Sequence, residues 1–222
     1  MTIPPPRLTL TVAVEGCDGT GKSTLAEALA SHLRLGLGTP ALKIKRPAID
    51  SEAQRLFGDP TATDAQRLAA MDHDCADRLV DAAEAFVAGT QVVIFDRHFL
   101  SAAVYQGGGN WLDEARRQQT LWPQPDLWII TRAHLKTVLA RIAARTADHD
   151  HGTHPDVMAY RLACYAGLAY MQTAPVLVVS TDVTELRVIH VPPRGQARPL
   201  AATNHGQLAQ IIKLYLHSRR IV

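Results

Sequence analysis

The sequence predicts an α/β fold in three layers: a five-stranded parallel sheet with helices on both faces. Three observations carry this expectation. Apolar runs recur at 8–15, 91–96 and 126–131 and suit strands buried on both faces, with ALKIKR at 41–46 as a further, short strand. Segments with helical spacing separate them, and strands alternating with helices imply parallel pairing. Polar residues also gather where these strands end: Glu15 and a glycine turn after the first, Arg46 after the second, Asp96 and Arg97 after the third. That is the edge where folds of this class hold their ligands.

The elements follow in order. After the first strand and its glycine turn, Leu25, Leu29 and Leu33 share one helical face. The second strand covers 41–46. Helical patterning returns at 51–57 and at 64–88, where Leu68, Cys75, Leu79, Ala82 and Phe86 form an apolar face and Gly89 stands as a C-terminal stop. A third strand at 91–96 precedes short helices at 98–106 and 112–121, separated by the GGGN stretch at 107–110. A fourth strand covers 126–131, and a helix spans 133–145. A polar, His-rich stretch at about 146–154 is the expected lid, before a helix at 155–172. Two segments compete for the fifth strand, 176–180 and 186–191, and the second is favoured. A long linker, 192–206, leads to a last helix at 205–218. No repeat or interdomain linker appears, so residues 1–222 read as one domain.

Composition narrows the function. The formal net charge is +2, without a concentrated basic run, which disfavours a dedicated nucleic-acid binder. Three separated cysteines, Cys17, Cys75 and Cys164, offer no metal-finger spacing and fit a reducing cytoplasm. No signal-like start and no apolar run of membrane-spanning length is found, so no membrane partner is expected.

The most informative segment is Gly16-Cys17-Asp18-Gly19-Thr20-Gly21-Lys22-Ser23, which matches G-x-x-x-x-G-K-[ST]. Gly16, Gly19 and Gly21 allow backbone N–H groups to turn inward around phosphate oxygens, and the following helix adds its positive end. Lys22 suits the β- and γ-phosphates of ATP, and the Ser23 hydroxyl suits Mg²⁺, with Thr24 beside it. A chance match is expected in roughly one chain of this length per hundred. The loop alone does not separate a kinase from a GTPase or ATPase, although the base-reading N-K-x-D of GTPases is missing.

EGCDGTGKST at 15–24, followed by DRHFLSAAVYQGGG at 96–109, resembles the thymidylate kinases. That family carries D-R-[YH]-x-x-S-x-x-A-Y-Q after its third strand; here Val104 replaces the alanine, while Asp96, Arg97, His98, Ser101, Tyr105 and Gln106 are kept. Further matches are Arg46-Pro47, Ala76-x-Arg78, Pro125-Asp126-Leu127, and Arg141 and Arg145 before the lid, so the resemblance spans roughly residues 8–170. It implies a P-loop nucleoside monophosphate kinase that transfers phosphate from ATP to thymidylate. Catalytic roles then fall to Lys22, Asp18, Arg97, Asp96 and Arg145. Arg141 joins the loop on the donor nucleotide. Arg46, Asp74, Arg78, Arg97, Ser101, Tyr105 and Gln106 line the acceptor, with Ser101 and Gln106 near the base. Ser23 and Asp96 serve Mg²⁺. Lys22 is expected to face solvent when the loop is empty. A homodimer is implied by resemblance alone.

The match departs at three places. The family's base-stacking aromatic, four residues before Arg78, is Asp74 here; its D-R-x-E lid pattern becomes Asp148-His149-Asp150-His151; and the 192–206 linker is long. Two further readings therefore stand beside a thymidylate kinase. One is a kinase for a modified, hydroxymethyl pyrimidine, as nucleotide or in DNA, with Asp74 as general base. The other is a nucleotide-binding protein without turnover. Plainer roles weigh against single residues: Arg78 pairing with Asp74 one helical turn away, Tyr105 as core, and His149, His151 and His154 as a solvated lid rather than a metal site.

Overall fold

The computed structural model describes residues 9–145, 154–182, 186–192, 196–200 and 202–218. Its centre is a seven-stranded sheet: β1 (Leu10–Glu15), β2 (Ala41–Lys45), β3 (Val92–Asp96), β4 (Leu127–Arg132), β5 (Val176–Ser180), β6 (Arg187–Val191) and β7 (Arg198–Leu200). They lie in the order β2-β3-β1-β4-β5-β6-β7. The first five are parallel, whereas β6 pairs antiparallel with β5 and β7 antiparallel with β6.

The expectation of five parallel strands thus holds for β1 to β5, but the sheet has two more, and the fifth parallel strand is 176–180 rather than 186–191. The reason is burial. Val176, Leu177 and Val179 are all buried, as a strand covered on both faces must be, and they read as an unbroken apolar run. Residues 187–191 mix exposed and buried positions, which suits a strand nearer the edge. Part of the linker supplies β7, whose three residues include Pro199 and an exposed Arg198. A short edge with a proline and a charge resists pairing with another chain.

The helices are α1 (Lys22–Ser31), α2 (Glu52–Phe57), α3 (Asp64–Val87), α4 (Phe99–Gln106), α5 (Trp111–Leu121), α6 (Leu135–Ala143), α7 (Pro155–Leu168) and α8 (His205–Ser218). On one face of the sheet α1 and α8 pack through Leu25, Leu29, Leu33, Leu208 and Ile212; on the other, Phe99, Leu100, Trp128, Tyr165 and Leu168 form a second core. Helix α3 begins with a reciprocal cap: Thr63 accepts the Gln66 N–H, and the Gln66 side chain accepts the Thr63 N–H. It ends where Gly89, at φ +103, lets the N–H groups of Gly89 and Thr90 reach the carbonyls of Phe86 and Ala85. Of the expected lid only His154 lies among the described residues; it caps α7 by accepting the Asp156 N–H. His149 and His151 lie outside them. Among the described residues no group of three or more His, Cys, Asp or Glu side chains is placed to hold a metal, and no helix is long and apolar enough to cross a membrane. The three cysteines are free and buried, and burial pushes the Cys75 thiol up to about 11.

Candidate active site

The phosphate loop turns between β1 and α1. Gly16 (φ +152) and Gly19 (φ +80) occupy backbone conformations that side chains rarely adopt; a Cβ at Gly19 would lie 2.8 Å from the Val138 carbonyl. Three elements fasten the loop from outside. Thr20 Oγ1 shares a hydrogen bond with Thr131 at the end of β4 (2.7 Å), and Thr181, just after β5, donates to the Thr20 carbonyl (2.8 Å). Arg141 on α6 donates to the Gly19 carbonyl (3.2 Å) and to Thr181. Arg141 is therefore a brace of the loop as well as a wall of the opening beside it. That opening, of about 480 Å³, is lined by Gly21, Thr24, Arg141, Arg145 and Asn204, among others. Arg145 was expected on the helix, but α6 stops at Ala143 and Arg145 sits exposed just past it.

The other side of the loop is crowded with paired charge. Lys22 is only 6% exposed, not solvent-facing as expected, because Asp18 draws its Nζ inward to 3.0 Å from Oδ1. The Arg97 guanidinium reaches the same oxygen at 2.5 Å. Tyr105 donates from its hydroxyl to Asp18 Oδ2 (2.8 Å) and accepts the Asp18 N–H (3.0 Å). Burial alone raises the Asp18 carboxyl, but Arg97 and Lys22 outweigh it and hold the group well below the usual carboxylate range. Burial, reinforced by Arg97, lowers Lys22 against the pull of Asp18. The Tyr105 ring lies between the guanidinium groups of Arg97 (5.0 Å) and Arg161 (4.3 Å).

Arg97 itself has φ +75, rare for a residue with a side chain. Its backbone N–H bonds the Val14 carbonyl, and the guanidinium also donates to Ser101 Oγ (3.0 Å). Beside it, Ser23 Oγ donates to Asp96 Oδ1 (3.1 Å), while Asp96 Oδ2 is buried without a hydrogen-bond partner. A hydroxyl and an under-used carboxylate oxygen are hard donors of the kind Mg²⁺ takes. Tyr105 and Ser101 thus join Arg97 and Asp18 in one hydrogen-bonded cluster beside the loop; Gln106 is buried at the end of α4.

Arg46 and Asp74 form a buried pair: Nε to Oδ2 is 3.0 Å, with side-chain exposures of 1% and 3%. Asp74 Oδ1 also accepts the Ala48 N–H (2.8 Å). Both carboxylate oxygens are thus engaged, which is not the state of a free general base. Arg46 follows a strand end and precedes a cis peptide bond to Pro47; its Nη2 bonds the Met71 carbonyl, and its Nη1 is buried without a partner. Arg78 pairs with Asp81 rather than Asp74. Asp74 and Arg78 line a smaller cavity of about 180 Å³ with Ser51, Glu52, His73 and Asp77.

Two parts of this cluster carry contacts that the sequence does not announce: Glu15, legible only as a strand-end acid, and helix α7. Glu15 is fully buried beneath Arg97, its oxygens taken by the N–H groups of His98 and Ser101 and by the Ser101 hydroxyl. Helix α7 adds Arg161 and Tyr165. A charged residue at the buried end of an apolar strand was the available signal for Glu15; nothing in the local pattern of α7 marked its two residues.

Comparison with known proteins agrees with this geometry. The family model described as thymidylate kinase matches residues 14–186. A thymidylate kinase of Xanthomonas oryzae pv. oryzae is 33% identical over 166 residues, covering 72% of this chain and 71% of that protein. One from Leifsonia xyli is 30% identical over 160 residues, covering 68% and 76%. The solved structure of thymidylate kinase from Candida albicans superposes with a TM-score of 0.66 at 15% identity, over 96% of this chain and 92% of that one, and so shares the fold. With the phosphate loop, the strand-end Asp96-Arg97 pair and a family match across most of its length, this chain belongs to the thymidylate kinase family of nucleoside monophosphate kinases.

Proposed function

We propose that this protein transfers the terminal phosphoryl group of ATP to thymidine monophosphate, giving ADP and the diphosphate. The observation that carries the reading is the shared carboxylate: Lys22 from the loop and Arg97 from the end of β3 converge on one oxygen of Asp18. A cation for each reacting phosphate is thereby held on either side of a single point. In the reaction an acceptor phosphate oxygen bonds to the γ-phosphorus as the bond to the β–γ bridging oxygen breaks, and charge spreads over the transferred group. Lys22 and the loop amides hold the donor. Arg97 holds the acceptor phosphate through its planar fork. Asp18 keeps the two cations apart by a fixed distance until phosphates replace it as their partner. Ser23 and Asp96 would hold Mg²⁺, which neutralises phosphate charge when bound. Arg145, at the rim of the larger opening, would meet developing charge. Tyr105, with Arg46 and Arg78 beyond it, bounds the acceptor nucleotide. The residues work as one domain, and a cytoplasmic setting suits its three reduced cysteines.

The geometry at Asp74 speaks against the modified-pyrimidine reading, because Arg46 and the Ala48 N–H already occupy the carboxylate. The test is ADP release from Mg·ATP across all nucleoside monophosphates, with Arg97→Ala beside the wild type. Thymidine monophosphate should be the preferred acceptor, and the variant should raise the acceptor KM and lower kcat about a hundredfold with little change in the ATP KM. Failure of thymidine monophosphate to support turnover would remove the proposed substrate.

A further inference from the structure

Glu15 is fully buried. Oε1 accepts the N–H groups of His98 (2.7 Å) and Ser101 (3.2 Å); Oε2 accepts the hydroxyl of Ser101 (2.6 Å), and the Tyr165 hydroxyl, with one proton to give, stands 3.3 Å from Oε2 and 3.0 Å from Ser101 Oγ. The first two are unsatisfied N–H groups at the start of α4, so the carboxylate caps that helix from another strand. The third has a directional consequence. A serine hydroxyl has one proton and two lone pairs. With its proton given to Glu15, the Ser101 oxygen is left as an acceptor, and Arg97 Nη1 donates to it at 3.0 Å. Asp18 fixes Arg97 through the other terminal nitrogen, Nη2.

We propose that Glu15 is a positioning residue of the acceptor clamp: by taking the Ser101 proton it turns that oxygen toward Arg97, and so fixes the guanidinium plane presented to the acceptor phosphate. This rests on the kinase reading above and adds to it a residue that touches no substrate. It also gives Ser101 a different task from base contact. A protonated Glu15 would donate to Ser101 and compete with Arg97 for the same lone pairs. Burial raises this carboxyl, while Ser101, Arg97 and the helix N–H groups favour its charged form.

Glu15→Gln tests the directional step. Its carbonyl can still accept the two N–H groups, but its amide would donate to Ser101, reversing that bond. Ser101→Ala removes the acceptor instead and serves as the second variant if the first folds poorly. Both should raise the KM for thymidine monophosphate about tenfold, with the ATP KM unchanged, because a misaligned clamp weakens phosphate capture rather than donor binding. The double variant should be no worse than the poorer single one, since both act through one bond. An unmoved acceptor KM, an equal rise in the ATP KM, or effects that multiply in the double variant would overturn the assignment of Glu15. Wild-type turnover in the same assay separates the two claims: its absence overturns the kinase reading and this one together, whereas turnover with unchanged variant ratios overturns this one alone.

Discussion

The two sides of the phosphate loop are built differently. On the Arg97 side, Lys22, Asp18, Arg97, Tyr105, Ser101 and Glu15 are already joined in one network, much of it buried. On the Arg145 side, Thr24, Arg145 and Asn204 stand exposed around an opening of about 480 Å³. The first arrangement holds cations in place before any phosphate arrives, so little reorganisation remains for the reaction. The second is an open space, which the proposed function would fill with the donor's base and ribose. Residues of the first kind are therefore part of the fold's stability, and residues of the second kind are not.

The largest effect should come from Lys22→Ala. Loss of the donor cation is expected to lower kcat by about a thousandfold, or about 4 kcal/mol, while a modest loss of stability follows because Asp18 keeps Arg97. Steady-state turnover and a thermal melt separate the two; turnover within tenfold of wild type would break the contrast. Next is Asp74→Ala, which strands the Arg46 guanidinium in the interior. Removing one member of a buried pair costs about 3 kcal/mol or more, and urea unfolding should show it even where a trace of activity persists. A variant as stable as wild type would place Arg46 in water rather than in the core.

Arg145→Ala is expected to cut kcat about thirtyfold yet leave the melting temperature within about 1 °C, as suits an exposed residue beyond a helix end. A clear drop in stability would erase the distinction between the two sides. The smallest effect is a pH slope. His98 is buried among Phe95, Phe99 and Trp128, and burial, then the Arg46 charge, holds its ring well below the ordinary histidine range. The unfolded chain binds a proton near pH 6.5 that the folded chain refuses. Stability from this group is thus present above about pH 6.5 and is lost as pH falls below it. His98→Phe should lose about 1 kcal/mol less than wild type between pH 7 and pH 5.5, read from urea midpoints.

Much of the phosphate loop and its surroundings was legible because the chemistry is local in sequence. The loop's glycines, Lys22 and Ser23 all fall within residues 16–23, and Asp96-Arg97 follows a strand whose apolar run is plain. Helix α3 was readable from its spacing and from Gly89. What escaped depends on tertiary partners. Both 176–180 and 186–191 read as strands, and only their tertiary neighbours show that the first is parallel to β4 and the second antiparallel to β5. The Arg46–Asp74 pair joins residues 28 positions apart, and no periodicity announces it. The burial of Lys22 follows from Asp18, four residues earlier, turning back over the loop, which a view of the loop as an empty cradle does not foresee. Glu15 was visible as a strand-end acid, but its hydrogen bonds to α4 require the β1–β3 register that sets Val14 beside Asp96.

The three interior thiols leave the surface chemically silent toward maleimides, since each is shielded and holds its proton firmly. A single handle introduced at the rim, for instance Ala144→Cys, would then take a fluorophore alone, without stripping the native residues first. The dye would sit on the wall of the larger opening, where the proposed function puts the donor nucleotide, and would report its arrival and departure in real time.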